Sequence, residues 1–308
     1  MLQIYQKTII HPISFEGIGL HSGKSSKITI FPGTEDQGII FKRVDVKQNN
    51  LITANYENVS SAKLCTTLEN KHGIKVSTVE HLLAALYIAG IDNAVIELDN
   101  EEIPIMDGSA KDFLKKITET EIKTLPKKRK YLKILEKVEL QDGEKNISIE
   151  PNSNAFEVDF QLNYNNEIIG KQRNTVNFET DQLDEVTQSR TFCLFEDIEK
   201  IKKIGLSKGG SLNNAVVVKN EKIINEGGLR NEKEFVNHKI LDLAGDFVLS
   251  GYRILGKVSC YQGGHLLSNL FLKKLLKSKN SYSEIAFEEI VVTKKKTVNH
   301  ISKIAANA

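Results

Sequence analysis

The chain is poor in cysteine, shows almost no charge imbalance and has no long apolar run. Its three cysteines, Cys65, Cys193 and Cys260, lie far apart, and none belongs to a Cys-x-x-Cys pair. That excludes a disulfide framework and an all-sulfur zinc site, and it suits a reducing compartment. The 42 basic residues are nearly balanced by 40 acidic ones, for a net charge of +2. A nucleic-acid footprint needs a basic excess, so no nucleic-acid partner is expected. The lysine clusters at 127–130 and 294–296 read as solvated linkers or tails. No apolar stretch approaches the roughly 20 residues of a membrane span. The first residues, Met1-Leu2-Gln3-Ile4, lack the basic and apolar regions of a signal peptide. There is no Gly-x-x-x-x-Gly-Lys phosphate loop, and Gly17-x-Gly19 lacks the next glycine of a dinucleotide fingerprint. The expectation is a cytoplasmic protein with no stable membrane insertion.

A chain of 308 residues, 40% apolar and 27% charged, has the balance of a globular protein of about two domains. Strands are expected at 27–31, 38–41 and 94–98, and helices at 79–89 and 111–118. Thr124-Leu125-Pro126 and the basic run after it read as a linker. Strands resume at 131–136, 146–149 and 156–162, and a helix follows at 196–204 and a short buried strand at 215–218. A long helix at 232–250, a strand at 254–261 and a helix at 265–277 complete the pattern. The fold class is α+β, with strands and helices in each half, a sheet covered on one face and a ligand cleft between the layers.

The chemistry-bearing residues fall into a few clusters. His238 and Asp242 are four apart on the long helix, so they share a face roughly 40° wide, and Asp246 lies one turn on. An imidazole nitrogen and a carboxylate oxygen so placed make half of a zinc site, or an exposed histidine beside a solvating aspartate. Ser77 with Glu80 fits a helix-opening capping box. Glu80-His81 also fits a carboxylate beside a metal ligand. His81, His238 and Asp242 together would leave a fourth position open, as in a catalytic zinc site. Glycines surround His21 in Gly17–Gly23 and precede His265 in Gly263-Gly264-His265.

Six ordered motifs then carry a family resemblance: GIGLHSG (17–23), STVEHLLAAL (77–86), IPIMDGSA (103–110), SRTF (189–192), HKILDLAGD (238–246) and GGH (263–265). The chain resembles the UDP-3-O-acyl-N-acetylglucosamine deacetylases over about residues 3–280. The resemblance implies two similar two-layer α+β domains, each with a small insert, and an active site in the cleft between them. The units would span 1–126 and 127–308, with the second insert at about 193–224. It implies a zinc-dependent amidohydrolase of lipid A biosynthesis acting on a UDP-linked acylated glucosamine. Zn2+ would be held by His81, His238 and Asp242. Glu80 would act as base and His265 as acid, with Asp246 keeping His265 charged and Thr191 helping to stabilise the oxyanion. Substrate contacts would come from Lys239, His21, Phe160 (stacking on uracil), Phe192 and Cys65. Lys239 would face about 100° away from the metal, towards the diphosphate. Leu194, Ile198, Ile201 and Leu206 would line an acyl passage, or equally the buried face of an ordinary helix. Cys193 departs from the family pattern, which has a glycine there. The tail after about residue 278 has no match, and its small apolar end, Ile304 to Ala308, is a candidate protease signal or a frayed end. Two other classes fit the same ligands: an amidase of another nucleotide sugar, and a fold whose zinc is structural.

Overall fold

The structure, a computed structural model, describes residues 2–286. The tail considered for protease recognition lies outside the described residues. Six helices form within them: α1 (Glu80–Ile88), α2 (Lys111–Glu119), α3 (Asp184–Gln188), α4 (Phe195–Lys203), α5 (Glu234–Val248) and α6 (His265–Lys277).

Two sheets repeat one topology. In the first half the strand order is Ile13–Ile18, Ser25–Pro32, Ala94–Leu98, Ile39–Arg43, Leu51–Thr53. In the second, Val138–Asp142, Lys145–Pro151, Arg253–Tyr261, Phe156–Asn163 and Lys171–Asn177 stand in the same order. The last strand in sequence is central in both, antiparallel to the second strand and parallel to the third. In both, a small three-stranded insert and then a buried helix separate the fourth strand in sequence from the fifth, and a further helix follows. The inserts are Val59–Ser61, Thr67–Glu69 and Lys75–Ser77 in the first half. In the second they are Phe192–Leu194, Val216–Lys219 and Lys222–Ile223, with α4. The two halves thus share one strand topology, which the family resemblance implies and no residue-level repeat in the sequence announces. The second sheet is extended by Lys130–Ile134 and Tyr282–Ala286.

Alternation explains the strands. Ala94–Leu98 and Phe156–Asn163 bury every second residue, which puts one face of each sheet against the helices. Helix α1 is buried from Glu80 to Tyr87 and packs on α5, which lies on Phe156–Asn163 and Lys171–Asn177. Apolar side chains of both halves join in one continuous core.

One element differs from the sequence expectation. The expected linker is a strand, Ile122–Lys128, antiparallel to Tyr5–Ile9. Leu125 is buried while the residues beside it are exposed. Pro126 falls where the register slips between Tyr5 and Lys7, an irregularity that tolerates a missing N–H. The lysines and proline signalled a linker by composition, but pairing with the distant N-terminal strand overrode it.

Candidate functional site

Helices α1 and α5 meet at Gly245. A Cβ there would overlap the Glu80 carbonyl oxygen, so only glycine lets the two backbones approach this closely. The crossing sets the N-terminal turn of α1, with Glu80 and His81, beside the middle turns of α5, with His238, Asp242 and Asp246. No capping box forms. Ser77 ends a strand, the α1 cap residue is Val79, and the Glu80 carboxylate accepts from the Thr66 backbone instead.

His81, His238 and Asp242 each offer a ligand atom, and the three atoms lie within 4.8 Å of one another. Asp242 Oδ1 stands 3.4 Å from His81 Nε2 and 3.3 Å from His238 Nε2. The His238 Nδ1–H donates to the Ser189 carbonyl at 3.0 Å, because a carbonyl only accepts. Burial lowers the His238 pKa to about 3, so the ring is neutral and its Nε2 carries a lone pair. Two acceptors therefore face each other across 3.3 Å, and Asp242 Oδ1 is buried with no hydrogen-bond donor. A cation between them resolves that conflict, and nitrogen and oxygen donors of this kind suit a borderline divalent metal. The residues fit a metal ion.

Lys239 does not face away from this cluster. Its Nζ bonds Asp242 Oδ2 at 2.8 Å, one turn along the helix. Burial pushes the Asp242 carboxyl up, but His238, Lys239 and His265 together hold it well below the usual carboxylate range.

The second group is built on Glu80, His265 and Asp246. His265 opens α6 and sends Nδ1 to Asp246 Oδ2 at 2.9 Å and Nε2 to within 3.6 Å of Glu80 Oε1. Burial pushes the His265 pKa down, yet Asp246, Glu80 and Asp242 outweigh it and raise the ring to about 10. Burial pushes Glu80 up, against the pull of His265 and His81. Thr191 is half-buried and held by its backbone, donating to the Gly108 carbonyl at 2.8 Å and accepting from Val216 at 2.7 Å.

The expected substrate residues divide. His21 is buried, accepts from Ser207 N at Nδ1 (3.3 Å) and leaves Nε2 without a partner. Burial lowers its pKa, and the fields of His265 and His81 reach it. A cleft of about 500 Å³ opens beside it, between the two inserts, with Cys65, Glu102 and Leu206 in its wall. Burial, reinforced by Glu80, pushes the Cys65 thiol to about 12, which leaves it inert. Phe192 lies edge-on to Phe235, with the Lys239 ammonium 5.5 Å from its ring centre. Phe160 does not meet the expectation: it is 1% exposed in the core, so no ring face is open to a uracil. The alternation that places it on a strand also turns it inward. A second cavity, of about 450 Å³, lies at the far end of α1 around Arg129 and Arg253. Both guanidiniums are committed to Asp92 and to the Tyr87, Gly90 and Ile91 carbonyls, so that region braces the helix end.

Several residues that hold the site carry no sequence signal. Glu102 is 1% exposed and accepts from His21 N, Ser22 N and Thr78 Oγ1 at 2.7–2.9 Å. Glu234 at the start of α5 pairs with Arg190 of the SRTF motif at 2.8 Å in full burial. Four non-glycine residues beside the site have positive φ: Leu64 (67°), Thr78 (58°), Ser207 (56°) and Gln262 (55°). Each costs of order 1–3 kcal/mol. They turn the chain just before Thr66, Glu80 and His265 and at the contact with His21.

Similarities to known proteins agree with this geometry. A family model described as UDP-3-O-acyl N-acetylglycosamine deacetylase matches residues 6–277. A protein of Geotalea uraniireducens named UDP-3-O-acyl-N-acetylglucosamine deacetylase is 41% identical over 280 residues, 91% of each chain. One of the same name from Syntrophotalea carbinolica is 42% identical over 274 residues, covering 89% of this chain and 88% of its own. A third, from Haemophilus ducreyi, is 37% identical over 289 residues, 93% of this chain and 94% of its own. With the match running from the first strand to the end of α6, the chain belongs to the UDP-3-O-acyl-N-acetylglucosamine deacetylase family.

Proposed function

We propose that the chain hydrolyses the N-acetyl group of UDP-3-O-(3-hydroxyacyl)-N-acetylglucosamine, giving acetate and the free amine, the committed step of lipid A biosynthesis. The observation that carries this is the convergence of three ligand atoms within 4.8 Å beside Glu80 and His265. We take the metal to be Zn2+ and the compartment to be the cytoplasm; no helix among the described residues is long and apolar enough to cross a membrane. We also take 1–126 and 127–308 as the two units, although the strand Ile122–Lys128 runs through that boundary and the core is shared.

Zn2+ held by His81, His238 and Asp242 would supply Lewis acidity, lowering the pKa of a water and polarising the amide carbonyl. Glu80 accepts the proton of the attacking water at Oε1, the oxygen left free when Oε2 accepts from Thr66 N. His265 is charged, and its Nε2 gives a proton to the departing amine, while Nδ1 stays on Asp246. The Thr191 hydroxyl and the charged His265 ring would stabilise the developing oxyanion. Lys239 steadies Asp242. His21, Phe192 and Cys65 line the substrate side. The acyl chain runs over α4, where Leu194, Ile198, Ile201 and Leu206 are all only half-buried and no helix residue is fully covered.

The test is metal analysis with acetate release from the acylated substrate and its unacylated counterpart. Glu80→Ala is expected to keep its metal and lose activity by about 10²–10⁴-fold. Substantial activity in that variant ends Glu80's role, and equal turnover of the unacylated sugar points to an amidase of another nucleotide sugar.

A further inference from the structure

Thr66 has no part in the chemistry above, yet both of its donors end on carboxylates of the site. Its backbone N–H donates to Glu80 Oε2 at 3.0 Å, and its hydroxyl donates to Asp246 Oδ1 at 2.6 Å. We infer that Thr66 is a positioning residue, which turns the free oxygens of Glu80 and Asp246 onto the two nitrogens of His265. The inference rests on the roles proposed for those three residues.

The contacts close a ring. From Thr66 they run to Glu80, from Glu80 Oε1 to His265 Nε2 at 3.6 Å, from His265 Nδ1 to Asp246 Oδ2 at 2.9 Å, and from Asp246 Oδ1 back to Thr66. Each carboxylate thus gives one oxygen to Thr66 and the other to His265. A carboxylate pinned at one oxygen on a fixed helix has its second oxygen placed as well. Thr66 is 2% exposed, so water does not stand in for either bond. Asp246 is 180 positions away, so the hydroxyl bond also ties the first insert to the helix of the second half. Leu64, with φ at 67°, turns the chain ahead of Thr66. The neighbouring Thr67 does not share the task, because its hydroxyl is 3.9 Å from the Cys65 sulfur.

The experiment measures acetate release by the metal-loaded protein with Thr66→Val, Thr66→Ala and Thr66→Ser. Reading valine and alanine together separates loss of the hydroxyl from misfit of a methyl group. Losing a bond to a charged acceptor is expected to lower kcat about 10- to 100-fold. KM and metal content stay as in the unaltered chain, and serine restores kcat to within about threefold. In an Asp246→Ala background, Thr66→Val adds no further loss, because the hydroxyl acts through that carboxylate. Wild-type kcat in both the valine and alanine variants overturns the proposal. So does a serine variant as impaired as valine, or a loss that multiplies with Asp246→Ala. Failure of the proposed function reads separately: the unaltered protein would then release no acetate from the acylated substrate, or release it equally from the unacylated one, whatever happens at Thr66.

Discussion

His265 illustrates how far burial and neighbours contend at one residue. It opens a helix, where the dipole disfavours a positive ring, and burial disfavours it again. Three carboxylates reverse both effects, and the ring is raised to about 10. Glu80 is displaced upward from 4.5 by burial. The pH dependence of activity follows with a definite sign. Glu80 accepts a proton only when ionised, so activity rises with pH through a midpoint above the ordinary glutamate value. His265 donates only when charged, so activity falls as pH passes its raised pKa. A bell-shaped kcat/KM profile is expected, its basic limb above the ordinary histidine value. Asp246→Asn removes the strongest opposing charge and should move that limb towards neutrality by about one unit or more. A limb unmoved in the variant would sink the part given to Asp246, and a profile with no fall on the alkaline side would sink the role of His265 as acid.

At the scale of elements, the crossing of α1 and α5 is what brings the ligands together. Gly245→Ala forces a methyl group into the Glu80 carbonyl. Overpacking of this kind costs about 1–3 kcal/mol. Because the displaced residue is Glu80, activity should fall further than stability does, and comparing Tm with kcat checks it. An alanine variant with unchanged kcat and Tm would mean that the helices can slide apart freely. The crossing also shows what the sequence made legible. The long helix is readable from its acidic start and the Gly251 that closes it, and α6 is expected over the residues it occupies. Their bounds came within about two residues, because long periodic segments declare themselves locally. The ribbon of Tyr5–Ile9 with Ile122–Lys128 and the three-residue strands of the first insert did not. Their partners lie up to about 120 residues away, and strands so short carry no period. The ligand trio was legible through its motifs. The bonds that brace the site around it, from Thr66, Ser189, Glu102 and Glu234, are backbone or long-range contacts that no local pattern encodes.

At the scale of the whole molecule, the ligand trio is split between the duplicated halves. His81 comes from the first and His238 with Asp242 from the second, so a bound ion joins them as a cross-link would. The fold does not depend on it, since the apolar residues of both halves already form one continuous core. Chelation should therefore leave secondary structure intact at 25 °C while lowering Tm. An ion present at 100 to 1,000 times its Kd contributes about 3–4 kcal/mol, and its loss from a chain of this size lowers Tm by roughly 5–15 °C. Returning the metal should restore both Tm and acetate release. Circular dichroism before and after chelation, with a thermal scan of each state, makes the measurement. If the far-ultraviolet signal collapses on chelation, the ion is structural and the halves do not hold together without it. An unchanged Tm together with full activity would mean that the facing acceptors of His238 and Asp242 are reconciled by something other than a metal.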